Sequence, residues 1–85
     1  MDNIYIEKPR EVKAIQYKGY DSLFEIEKFM GDHFEEVLFK PFSKRLIISE
    51  GEPEVEVGDY IIKDKRKLFY SLPQKYFEAI YTKAN

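Results

Sequence analysis

The chain has 85 residues, with 16 acidic and 14 basic side chains and a net charge of −2. That length fits one domain, and a pI near 5.4 argues against the broad phosphate contact of direct nucleic-acid binding. No cysteine is present, which removes disulfides, cysteine-bound metals and a thiol nucleophile, and no apolar run exceeds three residues, too short for a membrane span.

The opening, MDNIYIEKPR, has no basic head followed by an apolar stretch, so no secretory signal is read and a cytoplasmic protein is expected. Residues 4–6 suggest a short leading strand. EVKAIQY, residues 11–17, alternates and is rich in β-branched and aromatic side chains, so it reads as a strand. SLFEIEKFMG, residues 22–31, reads as a helix. Ser22 and Glu25 have capping-box spacing, Leu23, Ile26 and Met30 share one face with Phe29 widening it, and Gly31 is placed to end the helix in a left-handed conformation.

Beyond residue 35 the period becomes two. EVLFK, RLIIS, EVEV, DYIIK and KLFY are strand candidates, separated by turn-forming segments that hold Pro41 and Pro53. SLPQ, residues 71–74, has a second capping pattern and predicts a short helical turn leading into a last strand, EAIYT. The fold expected is α+β: an antiparallel curled sheet or partial β-barrel with one main helix packed on it. Seven Phe and seven Tyr supply much of a small core. Phe24, Phe29, Phe34, Phe39, Phe69 and Phe77 are expected inside.

Three stretches bear on function. SEGEPEVEVGDY, residues 49–60, carries Glu50, Glu52, Glu54, Glu56 and Asp59 with no base between. On a strand, alternate glutamates share a face. Such a row is either a solvated edge that discourages pairing with other chains, or an acidic surface that docks on a basic partner. KDKRK, residues 63–67, is a basic turn; it is a soluble hairpin tip, or a phosphate contact through Lys63, Lys65, Arg66 and Lys67. GDHFEE, residues 31–36, holds the only histidine beside three acids, weak grounds for a metal site. The four glycines are scattered singly, so there is no phosphate loop, and no serine stands in a nucleophile motif. No cofactor, metal or catalytic residue is predicted.

GDYIIKDKRKLFYSLPQKYFEAIY, residues 58–81, resembles without gaps the ending of a family of small phage and prophage proteins of unassigned function. Those proteins run PGDYIIKG, a short basic-glycine turn, then EFYPCKPDIFEKTY. Gly58, Asp59, Tyr60, Ile61, Ile62, Lys63, Phe69, Tyr70, Phe77, Glu78 and Tyr81 fall on that pattern. VKAIQYKG, residues 12–19, is similar to the family's VEAIQYTG opening. Val57 stands where the family has proline, Asp64 and Lys67 replace turn glycines, Leu72 replaces a cysteine, and Pro73 sits one place from the nearest family proline. The resemblance implies a phage-encoded accessory protein in a bacterial host. The expectation is stoichiometric binding to a host or phage protein. It would inhibit a host factor or a defence nuclease, such as a CRISPR effector, through Glu50, Glu52, Glu54, Glu56 and Asp59 with Tyr20 as an aromatic anchor. The alternatives are a nucleotide or small-ligand module using the basic turn, and a structural or assembly component of the phage.

Overall fold

A computed structural model of the chain describes residues 3–7, 10–49 and 51–83. The described residues form β1 (Asn3–Glu7), β2 (Arg10–Gln16), α1 (Leu23–Met30), β3 (Leu38–Lys40), β4 (Arg45–Ile47), β5 (Tyr60–Lys63), β6 (Phe69–Leu72), α2 (Gln74–Ile80) and β7 (Thr82–Lys83). Short 3₁₀ segments precede and follow α1, at Tyr20–Ser22 and Gly31–Glu36. The architecture is α+β, as expected.

The main sheet has the order β6-β5-β2-β1-β7, antiparallel throughout, and it is open rather than closed into a barrel. Its register sets Ala14 opposite Ile62 and Ile15 opposite Ile61. Because side chains alternate across a strand, the sheet has two apolar faces and each needs a cover. On one face Ile15, Tyr17, Ile61 and Phe69 pack with Ile26, Phe29 and Met30 of α1 and with Leu46, Ile48 and Val55 from the β3–β4 region. On the other, Val12, Ala14, Tyr60 and Ile62 pack with Phe77 and Tyr81. The β3–β4 hairpin is a second, two-stranded sheet lying over the first face.

Several local expectations are corrected. Phe24 is 66% exposed rather than buried, since the inward stripe of α1 is Ile26, Phe29 and Met30. Phe34 and Phe39 are half-buried at the core's margin, while Phe29, Phe69 and Phe77 lie inside. Ser22 makes no capping box. Its hydroxyl donates to the Gly19 carbonyl (2.8 Å) and accepts from the Lys18 amide (2.9 Å), closing the 3₁₀ turn that starts the helix early. Gly31 does end α1 with a positive φ, 61°, but its ψ of −133° lies outside the left-handed helical region and feeds the next 3₁₀ segment.

The second helix is longer than the turn expected and absorbs Glu78–Ile80, so the last strand shrinks to Thr82–Lys83 beside β1. Ser71 belongs to β6 and no side chain caps α2, whose N-cap is Pro73. Helical spacing wins there because Phe77 and Tyr81, four residues apart, both reach the sheet. Phe77 stacks on Tyr60 at 4.0 Å between centroids and on Tyr81 at 4.8 Å. A strand over the same residues would put the two aromatic rings on one face but too far apart to stack on each other.

Candidate functional site

The predicted acidic row does not form one surface. EVEV is not a strand: only Val55 pairs, its N–H donating to the Leu46 carbonyl (2.7 Å) and its carbonyl accepting from the Leu46 amide (3.0 Å). Pro53 offers no N–H to continue the ladder, and a turn already begins at Glu56. Even so, that single bridge turns Val55 into the core and sets Glu54 and Glu56 on either side of one cation. Arg45 Nη1 lies 3.6 Å from Glu54 Oε1, and Arg45 Nη2 lies 3.7 Å from Glu56 Oε2.

Lys40, the direct cross-strand partner of Arg45, donates to Glu54 Oε2. That hydrogen bond, with the neighbouring positive charges, holds the Glu54 carboxyl below its ordinary pKa. The acids of this stretch therefore sit in a mixed-charge patch with Lys40 and Arg45. Glu52 leaves the group and lines a cleft of about 530 Å³ with His33, Ser49, Arg66 and Tyr70. Glu50 lies outside the described residues.

Asp59 is committed to the chain's own backbone. Its Oδ2 accepts from the Glu56 amide at 2.9 Å, and the Asp59 amide returns a bond to the Glu56 carbonyl at 2.9 Å. Gly58, inside this turn, has φ 103°, a conformation that side chains disfavour. Burial raises the Asp59 carboxyl above its ordinary pKa, and the Glu56 charge adds to this, outweighing the Glu56 amide and Arg45.

The same turn docks on the loop after β2. The Tyr17 amide donates to the Asp59 carbonyl (2.8 Å), the Gly58 amide to the Tyr17 carbonyl (2.7 Å), and a Cβ at Gly19 would lie 3.8 Å from Val57. The hairpin tip reaches this loop too, through a 2.7 Å hydrogen bond from the Tyr17 hydroxyl to the Lys44 carbonyl. Tyr20 stands at the loop's end, 69% exposed, with its ring edge-on to Phe39 at 5.7 Å. Tyr20 is thus brought to the same end of the fold as Glu56 and Asp59. Phe24 follows it along the chain, its ring 4.3 Å from Lys28 Nζ. Phe42 at the hairpin tip is fully exposed.

The basic turn is built around Asp64. Its Oδ1 accepts from the amides of Arg66 (2.8 Å) and Leu68 (3.0 Å), and its Oδ2 lies 3.5 Å from Arg66 Nη2. Burial pushes this carboxyl up, but the two amides and the guanidinium together hold it below its ordinary pKa. Lys67 takes φ 64°, a left-handed backbone that favours glycine. Sequence reasoning gave no role to Lys40 and Arg45, and it placed Phe24 in the core rather than on the surface. Only Lys40 and Arg45 left a signal, as bases flanking the PFSK turn.

His33 bonds to the segment after β4 rather than within its own loop: its Nε2 is 2.8 Å from the Ile48 carbonyl and 3.3 Å from Ser49 Oγ. Among the described residues no three His, Asp or Glu side chains are grouped to hold a metal ion, and no helix is long and apolar enough to cross a membrane. The sequence matches no family model, and no curated protein or solved structure matches it.

Proposed function

We propose that this chain is a non-catalytic module that binds another protein stoichiometrically through the end formed by Tyr20, Phe24, the hairpin tip and Glu56. The observation that carries this is the exposure of two large aromatics four residues apart in the chain, Tyr20 at 69% and Phe24 at 66%. Exposed aromatics with a charged rim are the usual anchors of a protein interface. Glu56 and the Lys40–Glu54–Arg45 cluster supply that rim and would set orientation and association rate rather than most of the affinity. In the phage setting that the resemblance implies, the bound protein would be a host factor or a defence nuclease, and binding would inhibit it.

The test is affinity capture from bacterial lysate, uninfected and phage-infected, followed by titration of the purified partner. Tyr20→Ala/Phe24→Ala should weaken a 1:1 complex about thirtyfold or more, equivalent to roughly 2 kcal/mol, with the melting temperature unchanged. Glu54→Lys is a poor probe, because it would set a third cation beside Lys40 and Arg45; Glu56→Lys is the cleaner charge reversal. Retention of every partner by the aromatic double variant would overturn the proposal. Capture of phage proteins alone would favour an assembly component instead.

A further inference from the structure

Lys13 of β2 and Lys63 of β5 are direct cross-strand partners, on the sheet face that carries Ile15, Ile61 and Phe69. Like charges in that relation repel and destabilise a sheet. With Val12, Asp64, Lys65 and Lys67 they line a concavity of about 240 Å³. Among the described residues, no carboxylate makes an ion pair with any of these four lysines. The hairpin differs, since Lys40 and Arg45 are each matched by a glutamate. Asp64, the acid that does line the concavity, spends its carboxylate on the amides of Arg66 and Leu68 and on the Arg66 guanidinium.

We infer that this concavity is a seat for adjacent phosphate groups of a small polyphosphate or nucleoside polyphosphate. Four ammonium groups without a carboxylate partner, one of them (Lys63) 5.8 Å from the Phe69 ring, line one hollow and supply more positive charge than a single phosphate would balance. Lysine ammoniums suit phosphate as point charges, free of the planar geometry that arginine imposes. A polyanion would also remove the Lys13–Lys63 repulsion, so binding gains from a cost the empty fold already carries. The acidic balance of the whole chain, −2, disfavours a long nucleic-acid backbone and leaves a compact anion as the better match. The larger cleft lies across the same turn, shares Asp64 and Lys67 with the concavity, and is lined by His33, Leu68, Phe69 and Tyr70. It gives a nucleoside somewhere to go.

The full chain should be titrated at low salt with inorganic tripolyphosphate and, separately, with ATP, by calorimetry and by amide chemical shifts. Shifts centred on Lys13 and Lys63–Lys67 are expected. Lys63→Gln and Lys65→Gln should each weaken tripolyphosphate binding about tenfold or more, the loss of one charge-assisted contact. Lys75→Gln, which removes the same charge from the exposed side of α2, should bind like wild type. Lys63→Gln should also melt no lower than wild type, because it relieves repulsion, and Lys65→Gln tests the seat from the exposed turn. ATP binding tighter than tripolyphosphate would assign a nucleotide as the source, and equal binding the polyphosphate alone. No binding at millimolar tripolyphosphate, or an equal loss in Lys75→Gln, would overturn the inference.

Discussion

The Tyr17 hydroxyl, buried under the hairpin tip, donates a 2.7 Å hydrogen bond to the carbonyl of Lys44, a residue held at φ 60°. The bond ties a non-glycine left-handed turn to the core. Tyr17→Phe removes it without opening a large cavity and leaves the Lys44 carbonyl without this partner. A loss of about 1–2 kcal/mol in urea unfolding is expected, with faster amide exchange confined to residues 41–44.

Tyr17 also sets a pH dependence. Burial raises its hydroxyl above the ordinary 10.0, so the folded state holds this proton more tightly than the unfolded one. The contribution is complete below pH 10.0 and is lost as pH rises through the folded-state value. Alkaline unfolding followed by circular dichroism should therefore be steeper in wild type than in Tyr17→Phe.

Asp59 predicts the opposite benefit from losing a charge. Its carboxyl, raised mainly by burial, ionises at neutral pH at a cost the unfolded chain does not bear. Asp59→Asn keeps an oxygen to accept the Glu56 amide and should be more stable than wild type at pH 7. The advantage should shrink as pH falls through the folded-state value and vanish below the ordinary 3.8, where wild type is protonated in both states. Thermal melts of both proteins across pH 3 to 7 check this.

At Lys67 the backbone has φ 64°. A left-handed conformation costs a side-chain-bearing residue about 1–2 kcal/mol, part of which glycine gives back in unfolded-chain entropy. Lys67→Gly should raise stability by up to about 1 kcal/mol in denaturant titration, and it should weaken tripolyphosphate binding at the same time.

Phe77 and Phe24 separate core from surface. Phe77 is fully buried between Tyr60 and Tyr81, so Phe77→Ala should cost about 3–5 kcal/mol. That is a large share of the roughly 5–15 kcal/mol available to a small domain. Phe24→Ala, at an exposed site, should stay within about 0.5 kcal/mol of wild type. Comparative thermal denaturation distinguishes the two.

Much of the backbone was readable from local pattern. The β-branched and aromatic runs of EVKAIQY and DYIIK mark β2 and β5, and Ile26, Phe29 and Met30 mark the inward stripe of α1, because short apolar runs suit a strand covered on both faces and a 3.6 period buries one side of a helix. The pattern failed where partners decided the outcome. EVEV alternates as well as any strand, yet Pro53 and the Glu56–Asp59 turn leave it one bridge. EAIYT reads as extended until the Tyr60 and Phe77 rings are known to stack.

The sequence by itself determined an α+β chain without cysteine, with aromatics supplying much of the interior and a basic turn at residues 63–67. These follow from composition and from interactions among neighbours in the chain. Only the tertiary structure decided that Arg45 lies between Glu54 and Glu56, that Tyr20 stands at the same end as that patch, and that Lys13 faces Lys63. Those relations depend on strand register and on which face each element covers. Both are fixed by burying residues far apart in the chain, so no local period records them.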